Sequence, residues 1–395
     1  MSNFTQLNQI LQTAVGAVAP AIVCRVEQGN KVLFAQSYGW LDPTHEQQPT
    51  QLGAYFDFAS LTKLFTTTAC LRLIDQGRLA LDQPVAELVP TFGGQRLLGG
   101  AEDPISKQPT AIDPRWLDFA HTAVDADAIT IRHLLTHTSG LAAWRSIYKA
   151  CGPTPSPHVA LRQAEVRARQ QAGLAALVAY PFVYPTGRAY MYSDLGLILL
   201  GAACARANGD AHIGQTIAAL VTQPLGLQAR FNPPQELHDQ IAPTEFCQWR
   251  QRRLHGEVHD ENAGGLGGVA GHAGLFGTAA DLSQLGRLYL SGGEKLLSTA
   301  IVAECRQEHV CTAAGDRRGL GWMLRSEPNP SCSRLFSPTS FGHTGYTGTS
   351  LWCDPERDLT VVLLTNRVYN GRHPQPIAQL RPAVHEAIVQ GISAQ

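Results

Sequence analysis

Strand-forming runs occur only near the two ends of this 395-residue chain, and that placement constrains its fold more than any other feature. Residues 21–27 and 31–38 are rich in β-branched and aromatic side chains, and Gln28-Gly29-Asn30 between them reads as a hairpin turn. Far along the chain, residues 319–325, 340–353 and 358–365 have the same character, with Asp354-Pro355-Glu356-Arg357 as the turn between the last two. In between, apolar residues recur with helical spacing across 158–178, 194–207 and 213–221. Thr278-Ala279-Ala280-Asp281 has the form of a capping box opening a helix to Leu290, and a last helix is expected over 375–390. Strands from both ends must meet in one sheet. The expected class is α/β (α+β), a central antiparallel sheet flanked by helices, with an inserted helical lobe. The lobes divide as 1–58 with 278–395, and 59–277.

The stretch DFASLTKLFTTTACLRLIDQG, residues 57–77, supplies the chemistry. Ser60 and Lys63 stand three residues apart at a helix start, so their side chains share one helical face. A hydroxyl is a poor nucleophile at neutral pH, but an amine whose charge is disfavoured by burial can take its proton. Backbone N–H groups at a helix start lack intrahelical partners and are free to bind an oxyanion. The alternative is a capped core helix that happens to begin with serine. A second copy of the spacing, Ser146 with Lys149, follows the stop at Gly140 and is read as a surface pair.

Bulk properties narrow the function classes. The chain is 44% hydrophobic and 16% charged with a net charge of −1, which gives no reason to expect nucleic acid or an anionic membrane surface as a partner. The longest uncharged apolar runs, 14–24 and 195–205, are too short to span a bilayer. The N-terminus lacks a basic region followed by a continuous apolar run, so no signal peptide is read. Nine cysteines show no CxxC pair, which suits buried thiols in a reducing compartment and a cytoplasmic location. No cofactor is implied. His133/His137 and His255/His259 have the i, i+4 spacing of metal ligands but lack the H-E-x-x-H glutamate and a third ligand, so no metal is assigned and a metal-dependent hydrolase is the weaker reading. Residues 92–128 form a long connection, a cover or an insertion.

Two more motifs select Ser60 over Ser146. Tyr192-Ser193-Asp194 precedes an apolar helix, and His343-Thr344-Gly345 lies on a late strand. With Ser60-Leu61-Thr62-Lys63 they form an ordered triple that resembles the S-x-x-K, Y-x-N and K-T-G elements of the serine β-lactamase and penicillin-binding-protein superfamily. The segments LLTHTSGL and GHTGYTGTSLWCDPERDLTVVLLTNR are similar to its class C-like branch, which includes D,D-peptidases and esterases, and the likeness covers essentially the whole chain as one β-lactamase/transpeptidase-like domain. Val258-His259-Asp260-Glu261-Asn262-Ala263 is similar to a subset of that branch.

The resemblance implies that Ser60 is acylated, Lys63 accepts its proton, and Tyr192 is a second proton carrier, with the N–H groups of Ser60 and Tyr346 as the oxyanion hole. Lys63 and Tyr192 would titrate as a coupled pair. Asp194, His343, Thr344 and Gly345 are expected to contact substrate, as are His259 and Asn262 beside the glycine run 264–277, although an ordinary polar loop fits those two equally. Two departures bear on substrate. Asp194 stands where relatives carry Asn and cannot donate a hydrogen bond. His343 replaces a lysine and, when neutral, anchors anions weakly. The expected partner is a small-molecule or peptide substrate with an ester, D-Ala amide or β-lactam carbonyl, the β-lactam being the poorest; oligomeric state is left open. A non-catalytic recognition scaffold is the alternative from another class.

Overall fold

The computed structural model describes residues 4–45, 48–156, 161–294, 296–328 and 330–393. Strands β1 (Ala21–Gln28), β2 (Lys31–Gly39), β3 (Val310–Cys311), β4 (Arg317–Arg318), β5 (Met323–Leu324), β6 (Phe341–Thr344), β7 (Ser350–Asp354) and β8 (Leu359–Thr365) form one sheet. Its order is β3-β4-β5-β6-β7-β8-β1-β2, with every neighbour antiparallel. The two ends of the chain meet inside it, where Ile22 pairs with Thr365 and Gln28 with Leu359.

The sheet is covered on both faces, which is why β8 reads as a continuous apolar run instead of an alternating one. Val361 and Leu363 pack with Leu7 and Leu11 of α1 (Thr5–Ala14) and with Val384 and Ile388 of the last helix, Gln375–Ser393. Val362 and Leu364 face the opposite way, into a core shared with Leu282 and Leu285 of the helix Ala279–Leu290. That second core continues into the helical lobe, around α2 (Thr62–Asp75) and α3 (Asp194–Asn208). α2 is buried on nearly every face, so its polar residues must find internal partners: Thr66 Oγ1 donates to the Gly271 carbonyl and Thr68 Oγ1 to the Leu64 carbonyl.

Three expectations need adjustment. Residues 340–353 are a hairpin, not one strand, because the chain folds back over Gly345–Thr349 to pair β6 with β7. Residues 319–325 likewise contain a turn at Gly321, where φ is +72°, between β4 and β5. The helix expected over 158–178 is observed as Gln163–Ala179, and residues 158–160 lie outside the described residues. Within 92–128 the chain makes a two-residue ladder, Gln95–Arg96 with Val124–Asp125, and a 3₁₀ segment at Pro114–Phe119. Eight cysteines are buried and Cys311 is exposed, all as free thiols. No helix among the described residues is long and apolar enough to cross a membrane.

Candidate active site

The turn that carries Ser60 is strained and clamped from both sides. Ala59 has φ +47°, a left-handed conformation that costs a residue with a Cβ about 1–2 kcal/mol. Asp57 is buried behind it, with Oδ1 accepting the Ala59 N–H at 2.8 Å and Oδ2 accepting the His259 N–H at 2.6 Å. From the sheet side, Thr347 Oγ1 donates to the Asp57 carbonyl at 2.8 Å and Thr349 Oγ1 to the Phe58 carbonyl at 3.1 Å. Gly345 makes that approach possible, since a Cβ there would lie 2.0 Å from Thr349 Oγ1 and 2.6 Å from the Phe58 carbonyl oxygen. The N–H groups of Ser60 and Tyr346 have no hydrogen-bond acceptor among the described residues.

Lys63 is 1% exposed, and three oxygens surround its Nζ: Ser60 Oγ at 2.8 Å, Asp194 Oδ1 at 2.8 Å and the His272 carbonyl at 3.2 Å. The contact with Asp194 is an ion pair by distance, although Oδ1 is poorly aligned for a hydrogen bond. Burial on its own disfavours the ammonium, as expected from the sequence, but Asp194 and Tyr192 outweigh it and hold the amine well above its ordinary range. The expectation of an uncharged amine at rest is therefore corrected: Lys63 is an ammonium, and the group that makes it one is Asp194.

Tyr192 is packed between rings. Its centroid lies 4.7 Å from that of His137 and 5.9 Å from that of His343, and Lys63 Nζ is 4.8 Å from it. The loop is fixed through His137, in left-handed conformation at φ +58°, whose Nδ1 accepts the Ser193 N–H at 3.1 Å and whose carbonyl accepts the Met191 N–H at 3.0 Å. Burial, then the charge of Lys63, push the His137 imidazole well below its ordinary range, so it is neutral. Ser193 caps α3 by accepting the Gly196 N–H, which sets Asp194 at the first turn of that helix.

His343 is 3% exposed, with Nδ1 2.8 Å from the Thr344 carbonyl, which assigns the proton to that nitrogen. Burial, then Lys63 and Arg318, bring its pKa down to about 3. It carries no charge at neutral pH. The cation on this side of the cleft is Arg318, half-buried on β4, with its guanidinium 5.2 Å from the Tyr190 ring and no ion-pair partner among the described residues.

The consecutive residues 259–262 each reach a different segment. His259 Nε2 lies 3.1 Å from Glu245 Oε1, and its ring stacks on Tyr346 at 5.5 Å. Asp260 Oδ1 accepts from His272 Nε2 at 2.8 Å and from the Ala263 N–H at 2.7 Å. Glu261 pairs with Arg372 at 3.0 Å, and Arg372 also clasps Glu245 through Nε at 2.9 Å. Asn262, 0% exposed, accepts the Tyr148 N–H and donates to the Arg145 carbonyl. The side chains of His259 and Asn262 thus have internal partners.

Asp194, Asp260 and His272 bring ligand atoms within 4.8 Å of one another, a spacing that could hold a metal ion. The ammonium of Lys63 already pairs with the first of them, and His272 Nε2 is hydrogen-bonded to the second. His133 and His137 do not converge, the former bonding Thr130 and the latter Ser193. His255 Nε2 meets backbone carbonyls while His259 turns to Glu245. The second Ser–Lys spacing is no site: Ser146 is buried on Glu102, with Oγ 2.6 Å from Oε2, and Lys149 is exposed. Ser146 is therefore not at the surface as expected. Asp57, Glu245 and Arg372 gave no signal in the sequence because their partners lie far along the chain, and Arg318 gave none because its neighbour Tyr190 does too.

Comparison with known proteins places this geometry. A family model described as Beta-lactamase matches residues 7–385. A putative D-alanyl-D-alanine carboxypeptidase of Escherichia coli (strain K12) is 27% identical over 400 residues, covering 93% of this chain and 84% of that protein. Among solved structures, EstCE1, a hydrolase with promiscuous acyltransferase activity, superposes with a TM-score of 0.69 at 22% identity over 97% of this chain and 98% of its own. A penicillin-binding-protein homologue from Caulobacter crescentus does so with a TM-score of 0.67 at 19% identity over 98% of each chain. At that distance the structures establish the β-lactamase/transpeptidase-like fold.

Proposed function

This chain belongs to the beta-lactamase family, and from that premise we propose that it is a serine hydrolase acylated at Ser60, acting on an ester or a D-Ala peptide amide in preference to a β-lactam. The observation that carries the reading is the 2.8 Å contact between Lys63 Nζ and Ser60 Oγ, with Tyr192 on the other side of the same amine. Ser60 Oγ attacks the carbonyl carbon as its proton passes to the Lys63 amine in the fraction of molecules whose ammonium has first given a proton to solvent, with Tyr192 beside it. The carbonyl electron pair moves onto oxygen, where the N–H groups of Ser60 and Tyr346 receive it. Collapse breaks the bond to the leaving group, which takes a proton from Tyr192. Water enters, gives its proton back to the pair, and releases the acid from Ser60.

Substrate preference follows from Asp194 and Arg318. A carboxylate committed to Lys63 offers no donor to the side-chain amide that classical β-lactams present. The positive charge that the His343 position lacks is supplied nearby by Arg318, which supports substrates carrying a carboxylate on the leaving-group side, as a D-Ala peptide does. Metal-dependent hydrolysis and a non-catalytic scaffold have no comparable support.

A fluorophosphonate probe tests the reading. The intact protein is expected to gain one adduct on Ser60, and Ser60→Ala none; a panel of short acyl esters, D-Ala-D-Ala peptides and nitrocefin then ranks the carbonyl types. Equal labelling of protein and variant, or none of either, would overturn it.

A further inference from the structure

Asp194 occupies a position that the sequence assigns to substrate, yet its closest contact is with the catalytic amine. We propose that Asp194 is a positioning residue acting through Lys63: it fixes the amine as an ammonium and so moves the pH window for acylation of Ser60 to the alkaline side, a setting that asparagine in its place would release. This rests on the reading of Ser60 as nucleophile.

The geometry is that of an ammonium seat. Nζ lies at 2.8 Å from Ser60 Oγ, 3.2 Å from the His272 carbonyl and 2.8 Å from the Asp194 carboxylate, with Tyr192 beside them, and an ammonium has no lone pair to spend. An amine acting as base needs its lone pair turned toward Ser60 Oγ–H, and a carboxylate 2.8 Å away favours the opposite state. The other charged or titratable groups around this pair, Tyr190 and Arg318 among them, stay in place in every Asp194 variant. His137, after the short helix Ile131–Leu135, and His343 on β6 are held neutral by burial. Asp260, opening the helix Glu261–Gly265, is matched by His272. Arg318 on β4 lies beyond Tyr190. Tyr192, in the loop before α3, is the remaining member, with its ring centroid 4.8 Å from Lys63 Nζ, and it too favours the ammonium. Asp194 is therefore the direct carboxylate contact of Lys63, and its side chain is 21% exposed where that of Lys63 is 1%.

The direction of the effect does not depend on which partner is the base. Removing one negative charge from beside a coupled Lys–Tyr pair makes either member release its proton more readily. Burial of Lys63 is then opposed by Tyr192 without the carboxylate.

The experiment is a pH profile of kcat/KM with a short p-nitrophenyl ester, from about pH 5 to about pH 10, on the full chain and on Asp194→Asn, Asp194→Ser and Asp194→Glu, with fluorophosphonate labelling rates measured alongside. The two neutral variants should move the acid limb down by about one pH unit or more, making them about tenfold faster than the parent at a given pH on that limb. Asp194→Glu keeps the charge and should keep the parent limb. Serine also suits a helix start, so it carries the test if the asparagine variant does not fold. A limb that stays or rises in the neutral variants, or moves as far in Asp194→Glu, overturns the assignment while labelling at Ser60 leaves the hydrolase reading standing. Absence of labelling in the parent at every pH would overturn both.

Discussion

Replacing Asn262 by alanine separates a support role from a substrate contact, because the two predict opposite patterns. Asn262 is 0% exposed, its Oδ1 accepting the Tyr148 N–H at 3.1 Å and its Nδ2 donating to the Arg145 carbonyl at 2.9 Å. Alanine leaves the Tyr148 N–H buried without an acceptor, at a cost of about 1–3 kcal/mol. The Arg145 carbonyl still receives the Ile147 N–H at 2.8 Å, so its loss is an ordinary hydrogen bond, about 0.5–1.5 kcal/mol. Together these give about 1.5–4.5 kcal/mol. With an unfolding entropy of about 2 cal/mol/K per residue, a 395-residue chain has about 0.8 kcal/mol/K, and Tm should fall by about 2–6 °C. Scanning fluorimetry reads the Tm, and initial rates on a short ester read KM, which should stay within about twofold of the parent. A Tm unchanged to about 1 °C together with a KM raised about tenfold would refute the support role and return Asn262 to the substrate.

Three further outcomes are expected. Arg318→Gln should raise KM for carboxylate-bearing substrates by about tenfold or more while neutral esters change little, since a charge-assisted hydrogen bond is worth about 1.5–3 kcal/mol; equal effects on both substrate types would remove Arg318 from recognition. His343, held near pKa 3, is neutral across the working range, so His343→Gln should leave the pH profile above about pH 4 in place, and a displaced limb would show that the imidazole titrates. Burial pushes the Glu245 carboxyl up, but Arg372 and His259 more than offset it and bring the pKa to about 2 from 4.5. A depressed carboxylate stabilises the fold above its unfolded pKa, so about 2–3 kcal/mol should be lost as pH falls from about 4.5 to about 2. Urea unfolding of the parent and of Glu245→Gln across that window should show the parent's advantage vanish; an advantage that persists at the acid end contradicts the pairing.

What the sequence made legible was what local chemistry writes down. The sheet was readable because β1, β2 and β8 are long and β-branched, and the nucleophile because Ser60 and Lys63 need only one helical turn to meet. The turn over Gly345–Thr349 was read as strand because its threonines and tyrosine favour extended backbone. They are there for a tertiary reason, the two hydroxyl bonds that hold Asp57 and Phe58. The two-residue strands β3, β4 and β5 are too short for any alternation to show.

The charge of Lys63 shows where local reading must stop. Burial, which the apolar sequence of α2 announces, argues for a neutral amine, and that contribution is present. The deciding charge comes from Asp194, which only the packing of α2 against α3 delivers to within 2.8 Å. A protonation state is a sum over neighbours, and a carboxylate and a phenol at close range can together outweigh the desolvation of a side chain. The same holds for residues 259–262, whose partners Glu245, His272, Arg372 and Tyr148 come from four separate segments. The departure from Asn to Asp at position 194 therefore reads one way in the motif, as a lost donor for substrate, and another in the fold, as a gained counter-ion for the base. Only the second reading makes a change at a substrate-side position move the acid limb of an ester that has no amide to bind.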